Sequence, residues 1–225
     1  MTSGGDAAGM NPAIRAAVDH ARQLGMNPYV VYDGLEGLID GKIKEATREL
    51  TSDMIYRGGT LLRSSRSKRF FDYEFRKQAY EHLKDRNIDK LVIMGGDGSF
   101  RALNDFFNDF EVPFAGIPAT IDNDIAGTDY CLGVDTAQNV ILDCIDSVRD
   151  TARSHHRAFV IETMGRDCGY LAMTTAPWAA RRTSASSLKS LTTWNPFTSA
   201  SSPSSMRKEA ASSPWWRKAP AWRST

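Results

Sequence analysis

The last 49 residues of the chain, 177–225, contain no glycine, valine, isoleucine, aspartate, tyrosine, cysteine, glutamine or histidine. A folded domain normally uses Gly, Val and Ile freely, so no fold is assigned to this stretch. It holds all five tryptophans and 17 Ser/Thr, whereas disordered tails are poor in aromatics. It reads as a linker-like tail or, in preference, as the product of a shifted reading frame. Cysteine is scarce too: Cys131, Cys144 and Cys168 are odd in number and lack metal-ligand spacing. That excludes a disulfide framework and reads as reduced thiols in a cytoplasmic protein. No apolar run is long enough to span a bilayer, and the polar "MTSGGDAAG" start is not a signal peptide. A formal charge of +1 gives no reason to expect nucleic acid or an acidic membrane as partner. The total hides a split, because residues 177–225 carry eight Lys/Arg against Glu209 alone. Residues 1–176 are left with 20 basic and 26 acidic residues, a balance of −6.

Within residues 1–176 the pattern alternates strands and helices. "NPAIRAAVDHARQLG" is a helix, with Asn11 placed to cap it, Pro12 at its first position and Gly25 to stop it. Ile14, Val18 and Ala21 share one face. "YVVY" (29–32) reads as a buried strand, 73–86 as an amphipathic helix and "DKLVIMGGDGS" as a strand entering a glycine-rich turn. "FRALNDFFNDF" is the next helix and "VPFAGI" the next strand. A helix follows over about 136–150, with Ala137, Val140, Ile141, Cys144, Ile145 and Val148 at three-and-four spacing. "RAFVIETMG" reads as a further strand. The order predicts an α/β fold, a three-layer, doubly wound, mainly parallel sheet with helices on both faces.

Two glycine loops carry chemistry. "MGGDGSF" (94–100) joins a strand to a helix, so backbone N–H groups and the helix N-terminus face any bound anion. Asp97 inside it could help hold Mg²⁺, which takes few carboxylates beside phosphate oxygens and water. "TSGGDAAGMNPAIR" (2–15) repeats the device. "GIPATIDNDIAGTD" (116–129) concentrates aspartates on one short loop. Read as extended chain, it puts Thr120, Asp122 and Asp124 on one side, suiting one carboxylate to take a proton and another to sit near a metal. Arg166, between Gly165 and Asp167 at a strand end, offers the charged fork that a transferring phosphoryl group needs.

Taken in order and spacing, "GGDAAGMNPAIR", "GGTLLRSSR", "GGDGS", "PATIDNDIAGTD" with "GVDTAQN", and "ETMGRDCGYLA" resemble the signatures of the bacterial-type ATP-dependent 6-phosphofructokinases over residues 2–173. The resemblance implies transfer of the γ-phosphoryl of ATP to the 1-hydroxyl of fructose 6-phosphate, with Mg²⁺, in a homotetramer. Carried over by motif, Gly5, Arg66, Ser67, Asp97, Gly98 and Ser99 would contact nucleotide, with Asp97 at the magnesium. Asp122 would accept the sugar hydroxyl's proton beside Thr120 and Asp124. Met164, Gly165 and Arg166 would meet the sugar phosphate and the transition state, and Arg157 would reach it from a neighbouring subunit. Arg15, Arg48 and Arg149 match positions that bind an allosteric nucleotide in bacterial members.

Departures from the pattern carry further expectations. Pyrophosphate-users generally have Asp at the position of Gly98 and Lys at that of Ala119, so Gly98 favours ATP. Ala119 stands for the glycine usual in ATP-users, Arg63 for a frequent glycine, and Asp19 for an arginine of the effector site. The resemblance also implies an apolar strand ahead of the first glycine loop and a second α/β domain after "GYLAM". Without about four buried aliphatic side chains of that strand, roughly 6–12 kcal/mol is forfeited. The expectation is a kinase domain over 1–176 lacking its first strand, a tail over 177–225 and impaired activity. A noncatalytic nucleotide-binding fragment and a pyrophosphate-dependent enzyme are the alternative readings.

Overall fold

The computed structural model describes residues 1–155 and 159–182. Helix α1 (Met10–Gln23) starts after Gly9, whose φ of 89° lies in the left-handed region. Asn11, expected as the cap, is instead inside the first turn and fully buried. It shares a face with Ile14 and Val18, so its polar side chain is carried into the core and must find partners there. The C-terminal expectation holds: Gly25, at φ 75°, donates its N–H to the Arg22 carbonyl at 2.9 Å.

Strand β1 (Tyr29–Val31) pairs antiparallel with β2 (Ile43–Glu45), the two being joined through helix α2 (Gly34–Ile39). Neither β2 nor α2 was legible in the sequence, because three and six residues are too few to show a period. Helix α3 (Arg48–Ser52) follows, capped by Thr47, whose hydroxyl accepts the Leu50 N–H. Helix α4 (Tyr73–Lys84) is capped by Asp72, which accepts from the Glu74 N–H at 3.0 Å. Strand β3 (Leu91–Gly95), helix α5 (Asp97–Phe110) and strand β4 (Phe114–Pro118) form the expected parallel unit, with Leu91 opposite Phe114 and Gly95 opposite Pro118.

Residues 1–3 lie along the other edge of β3 and run parallel to it. The Met94 N–H donates to the Met1 carbonyl and the Ser3 N–H to the Met94 carbonyl, both at 3.0 Å. The Met1 ammonium donates to the Val92 carbonyl at 2.8 Å, and burial pushes that amine down to about 6.

Alternate residues of β3 enter two cores, as the period of a strand requires. Ile93 packs with Leu38, Phe70, Leu83, Leu103 and Phe106, between α2, α4 and α5. Met94 packs on the opposite face with Met10, Ile14, Met54 and Leu62, beneath α1. At ~1.5–3 kcal/mol for each fully buried large side chain, these two clusters are the main attraction holding the layers. The fold is therefore α/β, with helices on both faces of a parallel unit.

Three expectations need correction. Helix α6 (Val134–His155) is longer than read, and Val140 and Cys144 face outward, so the apolar seam is Val134, Leu142 and Ile145 with Ala137 and Ile141 packed beside them. Residues 159–165, expected as a strand, have no ladder partner among the described residues, and Val160 is 93% exposed. Apolar composition alone does not make a strand without a paired edge. Helix α7 (Tyr170–Arg182) continues past residue 176 and contains Pro177. The rest of the tail lies outside the described residues. No described helix is long and apolar enough to cross a membrane.

Candidate functional site

Three loops meet at the carboxyl end of β3, where open α/β sheets bind ligands. The first glycine loop is fixed at Thr2, Ser3 and Gly4. Thr2 Oγ1 donates to the Arg63 carbonyl at 2.7 Å. Ser64 Oγ donates to the Gly4 carbonyl at 2.9 Å, and the Gly4 N–H reaches the Ser65 carbonyl at 3.3 Å. The second glycine loop is tied to the first by Ser99 Oγ, which donates to Ser3 Oγ at 3.0 Å in a buried contact. Gly95 permits this closeness, since a Cβ there would stand 2.6 Å from the Ser3 carbonyl oxygen and 3.1 Å from Ser99 Oγ.

Several residues singled out in the sequence face the space these loops leave. Gly5, Arg66, Asp97 and Gly98 are exposed. A Cβ on Gly5 or Gly98 would meet nothing within 4 Å, and neither glycine has a positive φ. Their smallness leaves room rather than serving a strained turn. Asp97 opens α5, and its carboxylate pairs with Arg101 at 2.8 Å. Such an exposed pair is worth at most about 1 kcal/mol and yields readily to a stronger cation. No group of three potential metal ligands comes together among the described residues. One exposed carboxylate at a phosphate-type loop still fits Mg²⁺, which uses one or two carboxylates beside substrate phosphates.

Ser67 and Ser99 do not face that space. Ser99 is spent on Ser3, and Ser67 Oγ is buried, accepting the Phe70 N–H at 3.1 Å. Each hydroxyl satisfies an internal partner, so any contact from these positions to a nucleotide falls to their backbone.

The aspartate loop follows β4. Ala119 is buried, and its N–H donates to the Gly95 carbonyl at 2.9 Å. A Cβ on Gly96 would lie 3.6 Å from Thr120 Cβ, so this loop sits against the second glycine loop. The extended reading of the loop is wrong. The chain turns at Ile121–Asp122, Asn123 takes φ 52°, and the Asp122 N–H donates to Thr120 Oγ1 at 3.3 Å. Asparagine tolerates the left-handed region, and here its side chain locks the turn. Asn123 Oδ1 accepts the Cys131 N–H at 2.8 Å, and Nδ2 donates to the Asp129 carbonyl at 3.3 Å. Asp122 is half-buried and Asp124 exposed.

Burial pushes the Asp122 carboxyl above the usual carboxylate range, and the Asp124 charge adds to the effect; Arg166 and Arg66 oppose it, while Asp167 adds a smaller push upward. Three separately coded stretches, at 66, 122–124 and 166–167, thus bear on one carboxyl. Arg166 holds φ 53° after Gly165 at φ 132°, where a Cβ would strike the Cys168 carbonyl at 2.6 Å. A non-glycine residue in that region is uncommon, and such positions concentrate at functional sites. Arg166 pairs loosely with Asp167 at 3.7 Å, and Met164 beside it is 74% exposed. Arg157 lies outside the described residues.

The three effector candidates are distributed differently. Arg15 donates to the Ser52 carbonyl at 3.0 Å, linking α1 to the end of the helix that Arg48 begins. Asp19 pairs with Arg15 at 3.5 Å and with Arg22 at 3.6 Å, so it offsets cationic charge there. Arg149 lies on α6, paired with Asp146 at 2.9 Å. One residue that sequence reasoning misplaced also supports the site. Asn11 donates to the Arg57 carbonyl at 2.9 Å and accepts the Leu61 N–H at 2.7 Å, anchoring the arginine-bearing loop to α1. The signal was available: Asn11 falls in step with Ile14 and Val18, on the apolar stripe.

Comparison with known proteins agrees with this geometry. The profile of the family described as phosphofructokinase matches residues 1–182. The ATP-dependent 6-phosphofructokinase of Wolinella succinogenes is 58% identical over 176 residues, covering 78% of this chain and 55% of that protein. The solved phosphofructokinase of Saccharomyces cerevisiae superposes with a TM-score of 0.71 at 36% identity, over 78% of this chain and 27% of that one. The pyrophosphate-dependent phosphofructokinase of Marinobacter aquaeolei superposes at 0.66 with 21% identity over 78% of this chain and 47% of its own, a likeness of fold alone. The chain spans about half the length of the curated relatives it matches. With its two glycine loops, its aspartate turn and its family match over residues 1–182, the chain belongs to the phosphofructokinase family.

Proposed function

We propose that this chain transfers the γ-phosphoryl group of ATP to the 1-hydroxyl of fructose 6-phosphate, giving fructose 1,6-bisphosphate and ADP. The observation that carries the reading is the Asp122 carboxyl, raised by burial and by Asp124 while facing the charges of Arg66 and Arg166. A carboxylate whose pKa moves toward neutrality is a better general base, and an aligned one contributes roughly 10²–10⁴-fold in rate. In this reading Asp122 takes the hydroxyl proton, and the Thr120 hydroxyl, which accepts the Asp122 N–H, holds the turn in place. Arg166 spreads positive charge over the transferring group, the role that phosphoryl transfer demands most. Met164 and Gly165 flank the sugar phosphate.

The nucleotide lies over Gly5, Arg66 and Gly98, with the N-terminus of α5 toward its phosphates. Mg²⁺, held by Asp97 and phosphate oxygens, supplies charge neutralisation there. Arg15, Arg48 and Arg149 are proposed effector contacts, Arg157 a contact across subunits of a homotetramer, and the cytoplasm the working compartment. The open space at Gly98 supports ATP over pyrophosphate.

The test is ADP release coupled to fructose 6-phosphate, run with ATP and with pyrophosphate, beside calorimetric ATP binding. Turnover with ATP that Asp122→Asn lowers at least 10³-fold, with ATP affinity kept, supports the reading. ATP binding without turnover by the parent chain gives the noncatalytic alternative, and faster turnover with pyrophosphate gives the other.

A further inference from the structure

Asp122 and Arg166 sit on turns outside the strands, so no sheet ladder holds them in register. Each turn is rigid by itself. The aspartate turn is closed by Asn123, which accepts the Cys131 N–H and donates to the Asp129 carbonyl. Those two bonds end on either side of Tyr130. The Arg166 turn is closed by the Cys168 N–H, which donates to the Gly165 carbonyl at 2.8 Å. It runs directly into α7, where the Met173 N–H donates to the Gly169 carbonyl at 2.9 Å. Tyr130 therefore moves with one turn, and the start of α7 moves with the other.

The two meet at one side chain of α6. The Tyr130 hydroxyl donates to Gln138 Oε1 at 2.5 Å, and Gln138 Nε2 donates to Thr174 Oγ1 at 2.6 Å. Thr174 in turn donates to the Tyr170 carbonyl at 2.7 Å. The direction of the chain of bonds follows from its end. Thr174 uses its one proton on Tyr170, so its oxygen accepts, and the amide turns its NH₂ to Thr174 and its carbonyl to Tyr130. Apolar packing joins the same parts, since Leu171 is buried with Cys131 and Val134. That contact holds them close, but it is non-directional and tolerates a small rotation or slide of α7. The amide, engaged at both ends, does not.

We infer that Gln138 is a positioning residue for the proposed phosphoryl transfer: it ties the aspartate turn, through Tyr130, to the Arg166 turn, through Thr174, and so fixes the Arg166 guanidinium relative to the Asp122 carboxyl. The inference rests on the reaction proposed above. A base and a charge-bearing group must keep their geometry, and a displacement of about 1 Å can cost ~10²-fold in rate. The nucleotide contacts at Gly5, Arg66 and Gly98 stand outside this chain of bonds. Asp122 itself reports the geometry. Burial and Asp124 raise its carboxyl, Arg166 and then Arg66 lower it, and Asp167, which moves with Arg166, raises it least. When Arg166 draws away, the net lowering weakens and the carboxyl titrates at higher pH.

The test replaces Gln138 with methionine, which matches its length and makes neither bond. Gln138→Met is expected to lower kcat about ten- to a hundredfold while KM for ATP stays within about twofold. The acid limb of kcat/KM for fructose 6-phosphate should move up by about half a pH unit or more. Thr174→Val should do the same, and the double variant should be no slower than either single one. Thr174→Ser, which keeps the accepting hydroxyl, should recover most of the rate that Thr174→Val loses. Carbon-13 NMR titration of the Asp122 carboxyl, assigned with Asp122→Asn, follows the same geometry without turnover. A parent chain that does not turn over would refute the proposed reaction alone; an Asp122 titration that still moves up in Gln138→Met supports the positioning role. The same titration in parent and Gln138→Met, additive effects of the single variants, or a rate loss that follows melting temperature with the acid limb unmoved would each overturn it.

Discussion

Asn11 offers the sharpest test of how the site is held together, because it is 1% exposed and every polar atom of its side chain that bonds does so to loop backbone. In Asn11→Ala the Arg57 carbonyl and the Leu61 N–H each lose a partner inside the protein. An orphaned buried group costs about 1–3 kcal/mol, and two of them give roughly 2–6 kcal/mol if water cannot reach either. Domains of this size lose roughly 2–4 °C per kcal/mol, so the melting temperature should fall by roughly 4–24 °C. Urea unfolding followed by far-ultraviolet circular dichroism measures the same quantity through the midpoint at constant slope. Asn11→Asp separates the two bonds, since it keeps the acceptor for Leu61 and loses the donor to Arg57. It should also destabilise the chain, and less so toward low pH, where the carboxyl is protonated and can donate again. A fall of less than about 0.5 kcal/mol for Asn11→Ala, the scale of an ordinary surface change, would refute the view that this side chain anchors the 57–61 loop.

Two further perturbations separate stability from ligand handling. Gly98→Asp places a side chain where nothing stands within 4 Å, in the first turn of α5, where a carboxylate suits the helix dipole. Its melting temperature should stay within about 2 °C of the parent while calorimetric ATP affinity falls at least tenfold; unchanged affinity would remove Gly98 from the nucleotide site. The Asp122 carboxyl lies above its ordinary value of 3.8 in the folded chain. A raised carboxyl favours folding in its neutral form, so that contribution is full below the unfolded value and is lost as pH rises through the folded one. Asp122→Asn should therefore melt higher than the parent at pH 7, with the gap closing toward pH 3, and a gap constant across that range would contradict the assignment.

Strands β3 and β4, helix α5 and the glycine turn between them were legible because their patterns are local. An apolar run, a Gly-Gly pair and a three-and-four repeat each declare themselves within a dozen residues. The inward turn of Ser67 and Ser99 was not, because it depends on where Phe70 and Ser3 come to lie, and Ser3 is 96 residues away from Ser99 in the chain. The aspartate loop was misread by assuming extended backbone, although Asn123 and Gly127 within it are residues that accept positive φ. The strand expected over "RAFVIETMG" failed over its described part, residues 159–165, for a related reason: strand composition states a preference, and pairing decides. The convergence of Arg66, Asp122 and Arg166 was reached only through the family resemblance, since no spacing within the chain announces that these three segments meet.

The parallel pairing of Met1–Ser3 with β3 also bears on timing during synthesis. Residues 1–3 are satisfied by Val92 and Met94, some ninety residues later in the chain. At ~5–20 residues per second, residues 1–3 wait roughly 5–20 s on the ribosome before their neighbour on β3 exists. For roughly the first two thirds of that interval the first glycine loop lacks Ser65, and Ser99 comes only after it. Helix α1 can form early from its own turns, but the loop ahead of it takes shape only after β3 has emerged. The first glycine loop is thus among the last of the described elements to settle, and a pause in translation before codon 99 would lengthen its exposure.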